Sequence, residues 1–214
     1  MKTKSKALLL TLCAVLLVAA SVMGTMAYLT STDKVENTFT VGNVKITLDE
    51  AKVNTDGTPA APAERVKANE YKLLPGHTYT KDPMVTVLNG SEASYIKMTV
   101  TFSKASALDA IFAPTGANLI SIFNGYDSAN WIYKDNTKDA NADTRTYEFW
   151  YKETVGAPTA DVALDALFDS ITVPGTITNE QLATIEGMTI TVNAYAIQAD
   201  GFANADAAWA AYAG

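Results

Sequence analysis

From residue 95 to residue 102 every second side chain is apolar. Ile96, Met98, Val100 and Phe102 point one way along an extended chain, and Tyr95, Lys97, Thr99 and Thr101 point the other. A helix of 3.6 residues per turn would scatter the four apolar groups around its circumference, whereas a strand collects them on one face. The stretch predicts a half-buried β-strand, with one face in a core and one face wet. Such a strand requires neighbours in a sheet and a second layer against its apolar side.

The same period returns elsewhere. Val44, Ile46 and Leu48 alternate near the amino terminus, and in residues 188–198 Ile190, Val192 and Ala194 stand against Thr189, Thr191 and Asn193. Shorter strand-like runs occupy residues 131–134, 146–152 and 170–173. Pro75-Gly76, Asn89-Gly90 and Pro174-Gly175 mark turns. Residues 51–69, with Asp56-Gly57, Pro59 and Pro62, read as a loop or mobile insertion, and the charged residues 135–145 as the loop of a long hairpin. Short helices are expected over residues 107–112, 119–123, 162–168 and 203–212. Thr178 with Gln181 three positions on fits a capping box for a further helix that stops before Gly187. Roughly eight to ten short strands with a few short helices in the connections make the chain all-β. The expected architecture is a jelly-roll-like antiparallel β-sandwich.

The amino terminus follows a different logic. Lys2, Lys4 and Lys6 precede an apolar run over residues 7–23, which gives way to the small-residue stretch Gly24-Thr25-Met26-Ala27. This order is that of a secretory signal peptide, cut between Ala27 and Tyr28. Residues 1–27 are then a targeting segment and residues 28–214 one sandwich domain, in contact with a membrane only before cleavage. Cleavage removes Cys13, the one cysteine of the 214 residues, so the exported chain forms no disulfide. Export without disulfides fits a Gram-positive cell surface. With 16 basic against 23 acidic residues the formal charge is −7, and loss of the three signal lysines makes the chain more acidic still. Nucleic acid and anionic membrane surfaces call for clustered Lys and Arg, so neither is an expected partner.

Residues that carry hydrolytic or metal chemistry are sparse. His77 is the sole histidine and sits after the Pro75-Gly76 turn. A zinc peptidase of the His-Glu-x-x-His type requires two histidines one helical turn apart. Asp139, Asn141 and Asp143 occupy the first, third and fifth places of a calcium-loop pattern. Thr144 stands where that loop needs Gly, however, and Trp150 where it needs the bidentate Glu. The default reading is an acidic, solvated hairpin tip. Tyr147, Phe149 and Tyr151 alternate in one run and serve either as a sugar-stacking surface or as core and cross-strand partners. No catalytic residue and no cofactor are expected.

Gly24-Thr25-Met26-Ala27-Tyr28, followed by Asn37-Thr38-Phe39-Thr40-Val41-Gly42-Asn43-Val44, resembles the start of exported proteins of the TasA/camelysin family. The similarity continues at residues 74–82, LPGHTYTKD, at Asn89-Gly90-Ser91 and at residues 190–199, ITVNAYAIQA. Together these cover about half of the chain beyond the signal; residues 104–178 align with nothing in the family. The resemblance implies a jelly-roll biofilm matrix protein, released by a SipW-type signal peptidase and secreted to the extracellular matrix or cell surface. Family members polymerise into fibres by donor-strand exchange, in which one subunit gives its amino-terminal strand to the next. Here the donor would be residues 28–39, with Tyr28, Leu29, Val35 and Phe39 as anchors. The implied partners are further copies of the chain and an accessory matrix protein. The family also contains a member described as a metallopeptidase, so a camelysin-like surface metallo-endopeptidase is one alternative. A non-polymerising adhesin or accessory fibre subunit is another.

Overall fold

A computed structural model of the chain describes residue 6 and residues 11–17, 43–112 and 122–212. The chain divides into two compact units, Met1–Val41 and Gly42–Gly214. In the first, residues 11–17 are helical, and Leu12, Val15, Leu16 and Leu17 are exposed. Among the described residues no helix is long and apolar enough to cross a membrane.

The second unit is mostly strand, in three antiparallel sheets. The longest sheet begins with β5 (Ser94–Ser103), the strand of the strict alternation. β5 is flanked on one side by β11 (Ile190–Gln198) and on the other by β8 (Thr144–Tyr151), which pairs in turn with β7 (Trp131–Asp139). β11 runs in register from Ile190 opposite Phe102 to Gln198 opposite Ser94. A second sheet has the order β2 (Arg65–Val66), β1 (Ile46–Ala51), β4 (Met84–Val87), β9 (Val162–Ala163). The third joins β3 (Thr78–Thr80), β10 (Ser170–Thr172) and β6 (Phe123–Asn124). Three short helices accompany the strands: α1 (Ala105–Phe112), α2 (Asn179–Thr184) and α3 (Ala205–Ala211).

The inward faces build an aromatic-rich core, with a second buried cluster of Tyr79, Val173, Ile177 and Ile185, which makes the unit an all-β sandwich. Ile96, Met98, Val100 and Phe102 are fully buried, as are Tyr147 and Phe149 of the neighbouring β8, and Val85 and Val87 of β4 close the core from the opposite sheet. Phe123 lies at its centre, with ring centroids 5.8 Å from Phe102, 5.4 Å from Tyr147 and 4.5 Å from Phe168. Tyr147 and Phe149 are therefore core, and Tyr151, half-buried, packs edge-on against Trp131 at 5.0 Å as a cross-strand partner. The opposite face of β5 is covered in part by α3. Trp209 is buried there over Lys97, whose Nζ lies 4.6 Å from its ring centre, a cation–π contact.

Several expected elements differ. Residues 162–168 form β9 and an irregular segment rather than a helix. Leu164, Leu167 and Phe168 have helical spacing and are buried, but the Leu164 and Leu167 amides donate to Val85 and Pro83 carbonyls, so pairing with the β4 segment overrides the local pattern. The helix expected at residues 119–123 falls partly outside the described residues, and Phe123 belongs to β6. The hairpin of residues 135–145 is strand as far as Asp139 and again from Thr144, after a register shift between Tyr133 and Asp135. Residues 51–69 are pinned: Lys52 donates to the Glu64 carbonyl at 2.8 Å and Lys72 to that of Thr55 at 2.6 Å, and Arg65–Val66 joins β1. Gly57 adopts φ +84° against Tyr79, where a Cβ would come within 2.7 Å of the Tyr79 Cα.

Candidate functional site

Two strand edges flank an open groove of about 1210 Å³. Among the described residues, β11 is the outermost strand of its sheet, and β1 pairs with β2 only at Glu50 and Ala51. Consecutive residues line the groove on both strands, Leu48 to Glu50 and Ile190 to Val192, so it is bordered by strand edges rather than by one sheet face. Residues 66–73 and α2 complete the walls. The capping box that starts α2 is formed as expected: Gln181 donates its backbone N–H to Thr178 Oγ1 at 3.2 Å and accepts from the Thr178 N–H at 2.9 Å. Leu73, Leu182, Met188, Ile190 and Val192 give the groove apolar sides. A small apolar cavity of about 40 Å³ shares Tyr71, Leu73, Met188 and Ile190 with it. The volume exceeds the roughly 300–1,000 Å³ usual for a small-molecule site and suits an extended peptide segment.

The groove also carries a polar patch. Alternation along β1 puts Glu50 two positions beyond Leu48, where Lys81 Nζ donates to Glu50 Oε2 at 2.5 Å. Only 7 % of Glu50 and 6 % of Lys81 are exposed. Asn69 Nδ2 donates to Glu50 Oε1 at 3.0 Å. Burial, and then the charge of Glu50, push the Tyr71 hydroxyl well above its ordinary value. Arg65 braces the rim by donating to the Asp82 carboxylate at 2.9 Å and to Asp49. The sequence reading missed this cluster. Its signal was a charged residue at an inward position of a strand pattern, Glu50 after Ile46 and Leu48, and Lys81 two positions after the buried Tyr79.

The residues singled out from sequence are not brought together. Ala27, Tyr28, Leu29, Val35 and Phe39 lie outside the described residues. His77 is exposed at its turn, hydrogen-bonded through its backbone to Leu74 and Val173. Asp139 Oδ1 accepts the amides of Asn141 and Ala142 at 2.8 and 3.1 Å, which makes it a turn-former. Asp143 Oδ1 accepts from the Ser106 amide and hydroxyl at 2.9 and 2.8 Å, holding the start of α1, and these bonds keep its carboxyl below the usual range. Among the described residues no cluster of three or more His, Cys, Asp or Glu side chains is arranged to hold a metal ion. No family model matches the chain, and no curated protein or solved structure matches it.

Proposed function

We propose that the chain is a secreted structural protein of an extracellular matrix, a jelly-roll subunit that polymerises into fibres by donor-strand exchange. Signal cleavage by a SipW-type peptidase frees residues 28–39 of one subunit, and this segment lies in the groove between β1 and β11 of the next. The observation that carries the reading is the groove itself: apolar-sided, larger than a small ligand needs, and bordered by two strand edges. An added strand gains backbone hydrogen bonds along such an edge while alternate side chains fill apolar pockets. Four anchors at about 1.5–3 kcal/mol each supply roughly 6–12 kcal/mol gross per junction, before ordering costs. The acidic charge favours solubility of the unassembled subunit and makes assembly dependent on salt.

Electron microscopy of the processed protein tests the reading. Fibres are expected from the intact form, and folded monomers from a variant lacking residues 28–39. Fibres of unchanged length from the deletion variant would remove strand donation as the mechanism.

A further inference from the structure

The patch of Glu50, Lys81 and Asn69 has a chemistry of its own. One carboxylate bridges an amine and a carboxamide: Glu50 Oε2 accepts from Lys81 Nζ at 2.5 Å, and Oε1 accepts from Asn69 Nδ2 at 3.0 Å. The carboxamide is fixed in orientation, since Nδ2 also donates to the Ala51 carbonyl at 2.9 Å and Oδ1 accepts the Val53 amide at 3.0 Å. Lys81 and Glu50 are more than nine-tenths buried, and Tyr71 stands beside them with its hydroxyl bonded to the Thr80 carbonyl at 3.1 Å. A nucleophile, a proton carrier, an electrophile and a donor to the electrophile's oxygen are thus held in one place, with the nucleophile and the proton carrier shielded from water. Stability alone does not account for such a pair, because apolar residues of similar size serve a core at least as well.

We propose that Lys81 and Asn69 become joined by an intramolecular isopeptide bond, with Glu50 as the proton carrier. Glu50 Oε2 takes a proton from the Lys81 ammonium, and the freed lone pair of Nζ attacks Asn69 Cγ. The carbonyl electron pair moves to Oδ1, where the Val53 N–H stabilises it. Return of that pair breaks the Cγ–Nδ2 bond. Nζ gives up two of its three protons in all; both travel through Glu50 to Nδ2, which departs as ammonium, and Glu50 ends ionised as it began. One N–C bond forms and one breaks, so no oxidant, reductant or cofactor is needed. The bond ties residues 69–81 into a closed loop along the groove wall. It would form in a monomer as readily as in a fibre, so its test is separate from that of strand donation.

The full chain is digested with trypsin after folding and the fragments are weighed. Trypsin does not cut after an acylated lysine, so the expected product is a branched peptide, residues 68–72 joined to residues 73–97, lighter than the sum of its parts by one ammonia. Glu50→Gln should return the unlinked linear peptides, and Asn69→Asp should change the molecule lost from ammonia to water. Linear peptides 68–72 and 73–81 at full sequence mass from the wild-type chain would overturn the proposal. So would loss of ammonia from peptide 68–72 with no branch, since that is Asn69 closing on its own backbone. The wild-type digest decides without depending on how any variant folds.

Discussion

The β5–β8 side of the sandwich and the groove side are built from the same alternating strands, but they differ in what stands at the inward positions. On β5 and β8 every inward residue from Ile96 to Phe102 and from Tyr147 to Phe149 is apolar or aromatic and fully buried. On β1 the inward run of Ile46 and Leu48 ends on Glu50, buried against Lys81. The first pattern maximises apolar burial and stabilises the fold directly. The second places two charges where their desolvation offsets most of their attraction. The β5–β8 side serves folding, and the groove side carries two buried charges that folding would not by itself require.

The contrast can be broken by substitution, beginning where the effect is largest. Phe149→Ala opens a cavity among Phe123, Tyr126 and Tyr133, and should lower stability by about 3–5 kcal/mol, read as an earlier midpoint in denaturant with an unchanged slope. In an Asn69→Ala background, which cannot form the bond to Lys81, Glu50→Ala leaves Lys81 buried without its counter-charge and should cost about 3 kcal/mol in the same measurement. Adding Lys81→Met to that variant should recover part of the loss. If it recovers nothing, the charges on the groove side stabilise the fold as the aromatics do, and the contrast fails.

Asp109→Asn tests a half-buried network at the far end of the β7–β8 hairpin. Arg145 grips Asp109 with bonds of 3.0 and 2.7 Å, and Lys138 adds one of 2.9 Å. Burial raises the Asp109 carboxyl, but these cationic donors outweigh it and hold the group below its usual value. A carboxyl depressed in the folded state contributes fully above its unfolded value and loses that contribution as the pH falls through the depressed one. The wild type should therefore weaken on acidification below about pH 4, and the variant, about 1 kcal/mol less stable at neutral pH, should lack that share of the decline. The smallest expected change is Thr178→Ala, which removes the α2 cap beside the groove at a cost of about 1 kcal/mol or less, visible as a small shift in thermal midpoint.

Much of the sandwich was legible because its signals are local. The alternation of residues 95–102 and 188–198 became β5 and β11, Pro75-Gly76 and Asn89-Gly90 became turns with Gly76 and Gly90 at positive φ, and Thr178 and Gln181 formed their capping box. Residues 162–168 misled because the spacing of Leu164, Leu167 and Phe168 satisfies a helix as well as a buried irregular segment. Backbone bonds to β4, about eighty positions away in the chain, made the choice. The hairpin of residues 135–145 has the sequence of a loop because its charged side chains suit solvent. Asp109 of α1 engages Lys138 and Arg145 there, while backbone pairing carries both strands to within four residues of each other.

By itself, the sequence determined a chain of half-buried strands, their turns and one capped helix, since period and capping depend on neighbours a few residues apart. Only the tertiary structure decided that β1 and β11 border an open groove. It also decided that Glu50 meets Lys81, 31 positions on, with Asn69 between them in the chain. Such meetings depend on how separate sheets stack, and no local pattern of apolar and polar residues encodes which charged side chains that stacking will bring face to face.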